Sequence, residues 1–186
     1  GDGRIGAALV AARACAGVAF TGSTEVARLI AQTLAGKDGP LVPLIAETGG
    51  QNTLIADSSA LPEQIVRDVV ASAFNSAGQR CSALRVLYIQ VDIADHVCEL
   101  LAGAMQELCI GNPADIATDV GPVIDEAARA LLVAHARWLV SFATPIFTFP
   151  LDEEATRYGI FFAPRAYEID SIARLECTLG MCEHRL

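Results

Sequence analysis

Strand-like runs alternate with helix-like stretches along most of this chain, and that alternation restricts it to a few architectures. "GVAFT" reads as a short buried strand. "STEVARLIAQTL" then places Val26, Leu29, Ile30 and Leu34 at helical spacing. Ser23 or Thr24 is a natural N-cap for that helix, and Gly36 a natural stop. "LVPLIAE" and "NTLIAD" read as strands on either side of Gly49 and Gly50. Pro62 opens a helix expected over residues 62–75, and "ALRVLYIQV" is the clearest strand of the chain. Helices are expected at 93–108 and 126–142, with a turn-rich loop, "GNPADIATDVGP", between them. "PIFTF" and "GIFFAPRAYEI" supply further strands. Strands alternating with helices imply an α/β fold built on a mostly parallel sheet.

Composition narrows the function classes. The 186 residues are 53% hydrophobic, 6% aromatic and 19% charged, which suits an alanine- and valine-rich α/β protein rather than a disordered one. The net charge of −9 argues against nucleic acid as a partner, because phosphate binding needs a basic face. The longest apolar stretch, 138–151, is too short to cross a bilayer and contains Pro145 and Pro150. Gly1, Asp2 and Arg4 open the chain without the basic segment and apolar core of a signal peptide, so the expected compartment is the cytoplasm. The cysteines Cys15, Cys81, Cys98, Cys109, Cys177 and Cys182 show no CxxC spacing and are expected as reduced thiols. Cys98 and Cys109 read as small core residues. Cys177, Cys182 and His184 form too loose a cluster for zinc.

Several short stretches invite a chemical reading beside a plain one. "GDGRIG" at 1–6 spells GxGxxG, but the dinucleotide reading requires a strand just before it, none is expected there, and a glycine turn feeding a helix is the better reading. In "FTGSTE", Gly22 permits a tight turn and Ser23 starts a helix, a place for a phosphate or for ordinary capping. "AETGGQN" puts Glu47 at a strand end, either a solvated glutamate or a general base if partial burial tunes it. "NSAGQRCSALR" sets Cys81 in a glycine-bearing turn between a helix and a strand, where Arg80 or backbone amides would favour the thiolate. Local chemistry alone weighs nucleophile and loop cysteine evenly. His96, His135 and His184 lie far apart and compose no Cys-His set, which leaves Glu47 as the base available to a thiol.

Taken in order and spacing, "FTGSTEVA", "AETGGQN" and "GQRCSALR" resemble the cofactor, glutamate and cysteine motifs of the aldehyde dehydrogenase superfamily. "IAETGGQN", "DSSALPEQ", "SAGQRCSALRVL" and "GNPADIATDVGPVID" are more narrowly similar to the L-glutamate γ-semialdehyde (1-pyrroline-5-carboxylate) dehydrogenase module of bacterial bifunctional proline-utilisation proteins. The likeness runs over residues 1–175. It implies a partial aldehyde-dehydrogenase-like fold: the end of the Rossmann-like cofactor domain at 1–47, part of the thiol-bearing catalytic domain at 48–175, and a divergent tail at 176–186.

The resemblance also implies roles. Cys81 attacks the aldehyde, and Glu47 activates the water that hydrolyses the resulting thioester. Gly22 and Ser23 lie against the cofactor pyrophosphate, Thr48 and Gly49 near the nicotinamide, and Ser82 beside the substrate carboxylate. NAD is the implied cofactor, with NADP left open because the ribose-contacting region of the family lies upstream. A complete family module is longer than this chain, so both ends are expected to be cut. The oxyanion asparagine and the later substrate-carboxylate loop are expected outside it, and Glu176 takes no role from the family's nicotinamide-ribose glutamate. "SFATPIFTFPLDEEATRY" drifts from the family pattern. The alternative is a catalytically inactive remnant or interaction fragment, whose uncovered apolar faces invite self-association.

Overall fold

The computed structural model describes residues 2–154 and 156–175, which fall into a unit spanning Gly1–Gly50 and a second spanning Gln51–Leu186. The tail from Glu176 onward, with Cys177, Cys182 and His184, lies outside the described residues.

The first unit begins with helix α1, Gly3–Ala11. Asp2 caps it, its carboxylate accepting from the Arg4 and Ile5 amides at 3.1 and 3.4 Å. Gly3 and Gly6 of the GxGxxG string are therefore helical: the helix is present, but these glycines lie inside it and do not form a turn that feeds it, because Asp2 caps the chain one residue earlier. Lys37 closes the other end: its Nζ donates to the carbonyls of Val10, Ala12 and Cys15 at 3.3, 2.7 and 3.2 Å. A cation there meets the carbonyl end of the helix dipole. Strand β1, Val18–Thr21, helix α2, Thr24–Ala35, and strand β2, Leu44–Glu47, follow as a parallel βαβ unit. β2 starts later than the apolar run implies because Pro43 has no N–H for the ladder. Its carbonyl still accepts from Val18 N at 3.0 Å.

The second unit repeats the pattern. Strand β3, Asn52–Ala56, crosses through helix α3, Pro62–Phe74, to the parallel strand β4, Leu84–Ile89. Helix α4, Val91–Gln106, then packs on α3. The core of this unit forms where Ile65, Val66 and Val69 of α3 and Val97, Leu101 and Met105 of α4 meet Ala56 and Leu84 of the sheet. Helix α5, Glu126–Val140, is capped by Asp125, and leads to strand β5, Thr144–Thr148, paired antiparallel with β6, Arg165–Glu168. β6 is shorter than the apolar run "GIFFAPRAYEI" because Pro164 precedes it and cannot donate to a ladder.

The sheet differs from the expectation in its continuity. Among the described residues the strands form three separate pairs, β1–β2, β3–β4 and β5–β6, the first two parallel and the third antiparallel. Cys109 also departs from its core assignment: it is exposed in the loop after α4, while its backbone is engaged by Asp119. Cys98 on α4 is half-buried. Burial, followed by the nearby Glu168 and Asp95 carboxylates, pushes its thiol up from the ordinary value.

Candidate active site

The first unit gathers Gly22, Ser23, Glu47, Thr48 and Gly49 at the carboxyl end of the β1–β2 pair. In open α/β sheets that edge is where ligands bind, because strand ends and helix N-termini meet there. Thr21 is opposite Glu47 in the register, and the Gly22 amide donates to the Glu47 carbonyl at 3.1 Å. Ser23 Oγ accepts from Val26 N at 3.2 Å, so it performs the capping that the plain reading assigned to it. Gly22 and Ser23 are both exposed, and Thr24 behind them is half-buried. A bound cofactor phosphate fits this strand–glycine–helix arrangement, since the amides and dipole of a helix N-terminus favour an anion. Glu25 already places one carboxylate in the first turn of that helix. Glu47 itself is exposed, as the solvated reading of a strand-end glutamate has it, and lacks the partial burial that would tune a base; Thr48 is half-buried and Gly49 exposed.

The second unit presents Cys81 and Ser82, both exposed, on the turn between α3 and β4. The backbone arrives there along an unusual path. Ser76, Ala77 and Gly78 have φ of 59°, 53° and 68°, successive left-handed residues of which only the last is a glycine. A non-glycine residue in this region costs about 1–3 kcal/mol, and such strain persists only where the surroundings fix it.

The fixing groups are visible. The Asn52 carboxamide, at the start of β3, donates from Nδ2 to Cys81 O at 2.7 Å and to Ala83 O at 2.9 Å. Arg85 donates from Nη2 to Gly78 O at 2.7 Å. Gln79 reaches Ser76 O and Pro122 O at 3.2 and 3.4 Å, and its Oε1 accepts from Ile124 N at 2.8 Å. Burial lowers the Arg85 guanidinium from its ordinary value, and its Nε is buried with no hydrogen-bond partner among the described residues.

Arg80, adjacent to the thiol in sequence, takes a different part from the one expected. Its guanidinium turns back to the Ala71 and Ser72 carbonyls at 3.0 and 3.4 Å, where it meets the C-terminal end of α3. Sequence reasoning missed Asn52, Gln79 and Arg85. All three lie within the quoted motifs, but nothing in spacing shows that one asparagine binds two carbonyls of a turn whose cysteine is 29 residues away.

Among the described residues no group of His, Cys, Asp and Glu has a metal-binding arrangement, and no helix is long and apolar enough to cross a membrane. His96 is exposed on α4, and His135 stacks on Trp138 with ring centroids 5.5 Å apart. A groove of about 320 Å³ along α5 is lined by residues that include Arg129, Arg137, Phe162 and Arg165, and by none of the predicted site residues.

Comparison with known proteins places these observations. The aldehyde dehydrogenase family model matches residues 1–164. The bifunctional protein PutA of Escherichia coli (strain K12) is 49% identical over 179 residues, covering 92% of this chain and 14% of that protein. A 1-pyrroline-5-carboxylate dehydrogenase of Bacillus cereus (strain B4264) is 41% identical over 115 residues, covering 60% of this chain and 22% of the relative. In structure, the chain is similar to proline utilization A of Bradyrhizobium japonicum, with a TM-score of 0.89 and 55% identity, over 96% of this chain and 18% of that one. The chain thus spans about a seventh of the length of the bifunctional relatives, given 14% coverage.

Proposed function

The chain belongs to the aldehyde dehydrogenase family and adopts part of its fold, and from that premise we propose that it carries the thiol and carboxylate of an NAD(P)-dependent oxidation of L-glutamate γ-semialdehyde to glutamate, a step of proline catabolism. The observation that carries the reading is the free, exposed Cys81 thiol on a turn whose Cys81 carbonyl accepts from Asn52. The substrate class rests on the relatives, which include a protein named 1-pyrroline-5-carboxylate dehydrogenase.

Sγ of Cys81, as thiolate, adds to the aldehyde carbon and forms a thiohemiacetal. Ser82 hydrogen-bonds the substrate carboxylate and orients the carbonyl for that attack. The chemistry a nicotinamide cofactor supplies when bound is acceptance of the hydride from the thiohemiacetal carbon, which leaves a thioester on Sγ. Gly22 and Ser23 would hold the cofactor pyrophosphate at the N-terminus of α2, and Thr48 and Gly49 would lie near the nicotinamide. Glu47 then takes a proton from water as its oxygen attacks the thioester carbon; the C–S bond breaks, glutamate leaves, Cys81 returns to the thiolate, and Glu47 gives its proton to solvent.

The test follows NADH absorbance with glutamate semialdehyde, comparing the chain with Cys81→Ala and Glu47→Gln. Mass spectrometry of the Glu47→Gln reaction looks for an acyl group on Cys81. Turnover that survives Cys81→Ala, or an acyl group on another cysteine, would overturn the assignment. No turnover by the unchanged chain, with no acylated Cys81, would favour the second reading.

That second reading is a non-catalytic interaction fragment. Ile45 on β2 and Ile55 on β3 are 66% and 80% exposed, and apolar side chains on short, two-stranded parallel pairs call for a cover.

A further inference from the structure

The ladder between β3 and β4 contains an irregularity. Asn52 pairs with Leu84 and Thr53 with Val86, so Arg85 is skipped. An extra residue of this kind re-aims its side chain out of the alternating pattern. Here the re-aimed group is a guanidinium, and it travels back along the chain to Gly78 O at 2.7 Å. Asn52, the residue on the other side of the irregularity, donates both bonds of its Nδ2 to the carbonyls of Cys81 and Ala83. Between the points these two side chains grip runs the turn that bears the thiol, with left-handed Ser76 and Ala77 just upstream.

From this juxtaposition we infer that Asn52 and Arg85 are a pair of positioning residues, a bulge-mounted clamp that fixes the turn presenting the Cys81 thiol. The inference rests on the reading of Cys81 as the nucleophile and extends it to two residues that do not touch substrate. Three features favour a clamp over incidental loop bonds. The strained backbone would relax if it were not gripped. A half-buried guanidinium whose Nε has no partner among the described residues is an expensive way to satisfy one carbonyl, and such exceptions in polar satisfaction call for a reason. Both grips originate at the one point where the β3–β4 register shifts, so a single feature of the sheet aims them.

The experiment is site-resolved alkylation of the whole chain by iodoacetamide, read as the ratio of the Cys81 rate to that of Cys109. Cys109 is also exposed, and it lies in a loop the clamp does not touch. Asn52→Ala removes both donors. Asn52→Asp keeps the shape but turns acceptors toward the same carbonyls. Arg85→Met keeps the apolar stem without the donor, and Arg85→Lys restores one donor and the charge. Reactive cysteines owe their rate to fixed, electropositive surroundings, so Asn52→Asp and Arg85→Met are expected to lower the ratio about fivefold to tenfold, with Arg85→Lys recovering most of it.

Circular dichroism and the Trp138 fluorescence of each variant verify that the ratio is read on folded chain. Should Asn52→Ala unfold, the isosteric Asn52→Asp and the Arg85 pair carry the comparison. A ratio unchanged in folded Asn52→Asp and Arg85→Met, with Cys81 still the faster thiol, overturns the clamp and leaves the nucleophile standing. A parent chain in which Cys81 labels no faster than Cys109 removes the nucleophile, and the clamp falls with it.

Discussion

Gly78 is the point where substitution meets the backbone most directly. Its φ is +68°, and a Cβ there would lie 2.8 Å from Ala73 O and 3.2 Å from Nη1 of Arg85. The carbonyl belongs to the end of α3 and cannot swing away as a side-chain tip could. Gly78→Ala is therefore expected to cost about 1–3 kcal/mol, read as a lower urea midpoint at unchanged m. Ser23 gives a second residue-scale prediction. Because its Oγ caps α2, Ser23→Ala should lose about 1 kcal/mol with no cofactor present. A loss that appears only with cofactor in solution would mean the hydroxyl serves the ligand and not the helix. If Glu47 is the base for thioester hydrolysis, Glu47→Gln slows turnover by about 10²–10⁴-fold while acyl-Cys81 builds up in the mass spectrum. Legibility at this scale was uneven. The Ser23 cap and the placing of Cys81 in a turn between a helix and a strand were readable from residue type and position. Arg80 looked like the cation serving the thiol and instead binds carbonyls at the end of α3, because a long side chain goes to the nearest unsatisfied acceptors.

The helices were legible as elements because their apolar spacing and end signals agree. The Pro62 start, the Ser23 cap and the Gly36 stop are all local, and each lies where the sequence places it. Met105 is fully buried at the α3–α4 contact, and Met105→Ala should cost about 2–5 kcal/mol by thermal or urea unfolding. α4 also carries the Cys98 thiol, which burial and two carboxylates hold protonated to higher pH than an ordinary thiol. Cys98 is expected to alkylate about tenfold more slowly than Cys109 near neutral pH and to gain on it in alkali. The sign for stability follows from linkage. The thiol titrates higher folded than unfolded, so its contribution is complete below the ordinary thiol range and fades as pH rises through the folded value. A Cys98→Ser chain should show a flatter loss of stability in alkali. Strand ends were less legible: Pro43 and Pro164 shorten two apolar runs, since a residue without an N–H cannot serve the ladder.

At the scale of the whole molecule, the charge of −9 and the exposed apolar strand residues act on partners rather than on fold. The chain should give no shift of duplex DNA at low salt, where a basic face would bind most tightly. Light scattering over a range of concentrations should show a mass that grows with concentration; a constant monomer mass would remove the interaction-fragment reading. The sequence by itself determined the class of fold, the helices and their caps, and the motifs that place the chain in its family, because periodicity, capping and turn chemistry act over a few residues. Only the tertiary structure decided that the strands form separate pairs among the described residues, that Cys109 faces solvent, and that Asn52 and Arg85 donate to the carbonyls of Cys81 and Gly78. Those outcomes depend on which backbone groups of distant segments meet and in what register, and a shift by one residue in that register re-aims a side chain without changing any local preference.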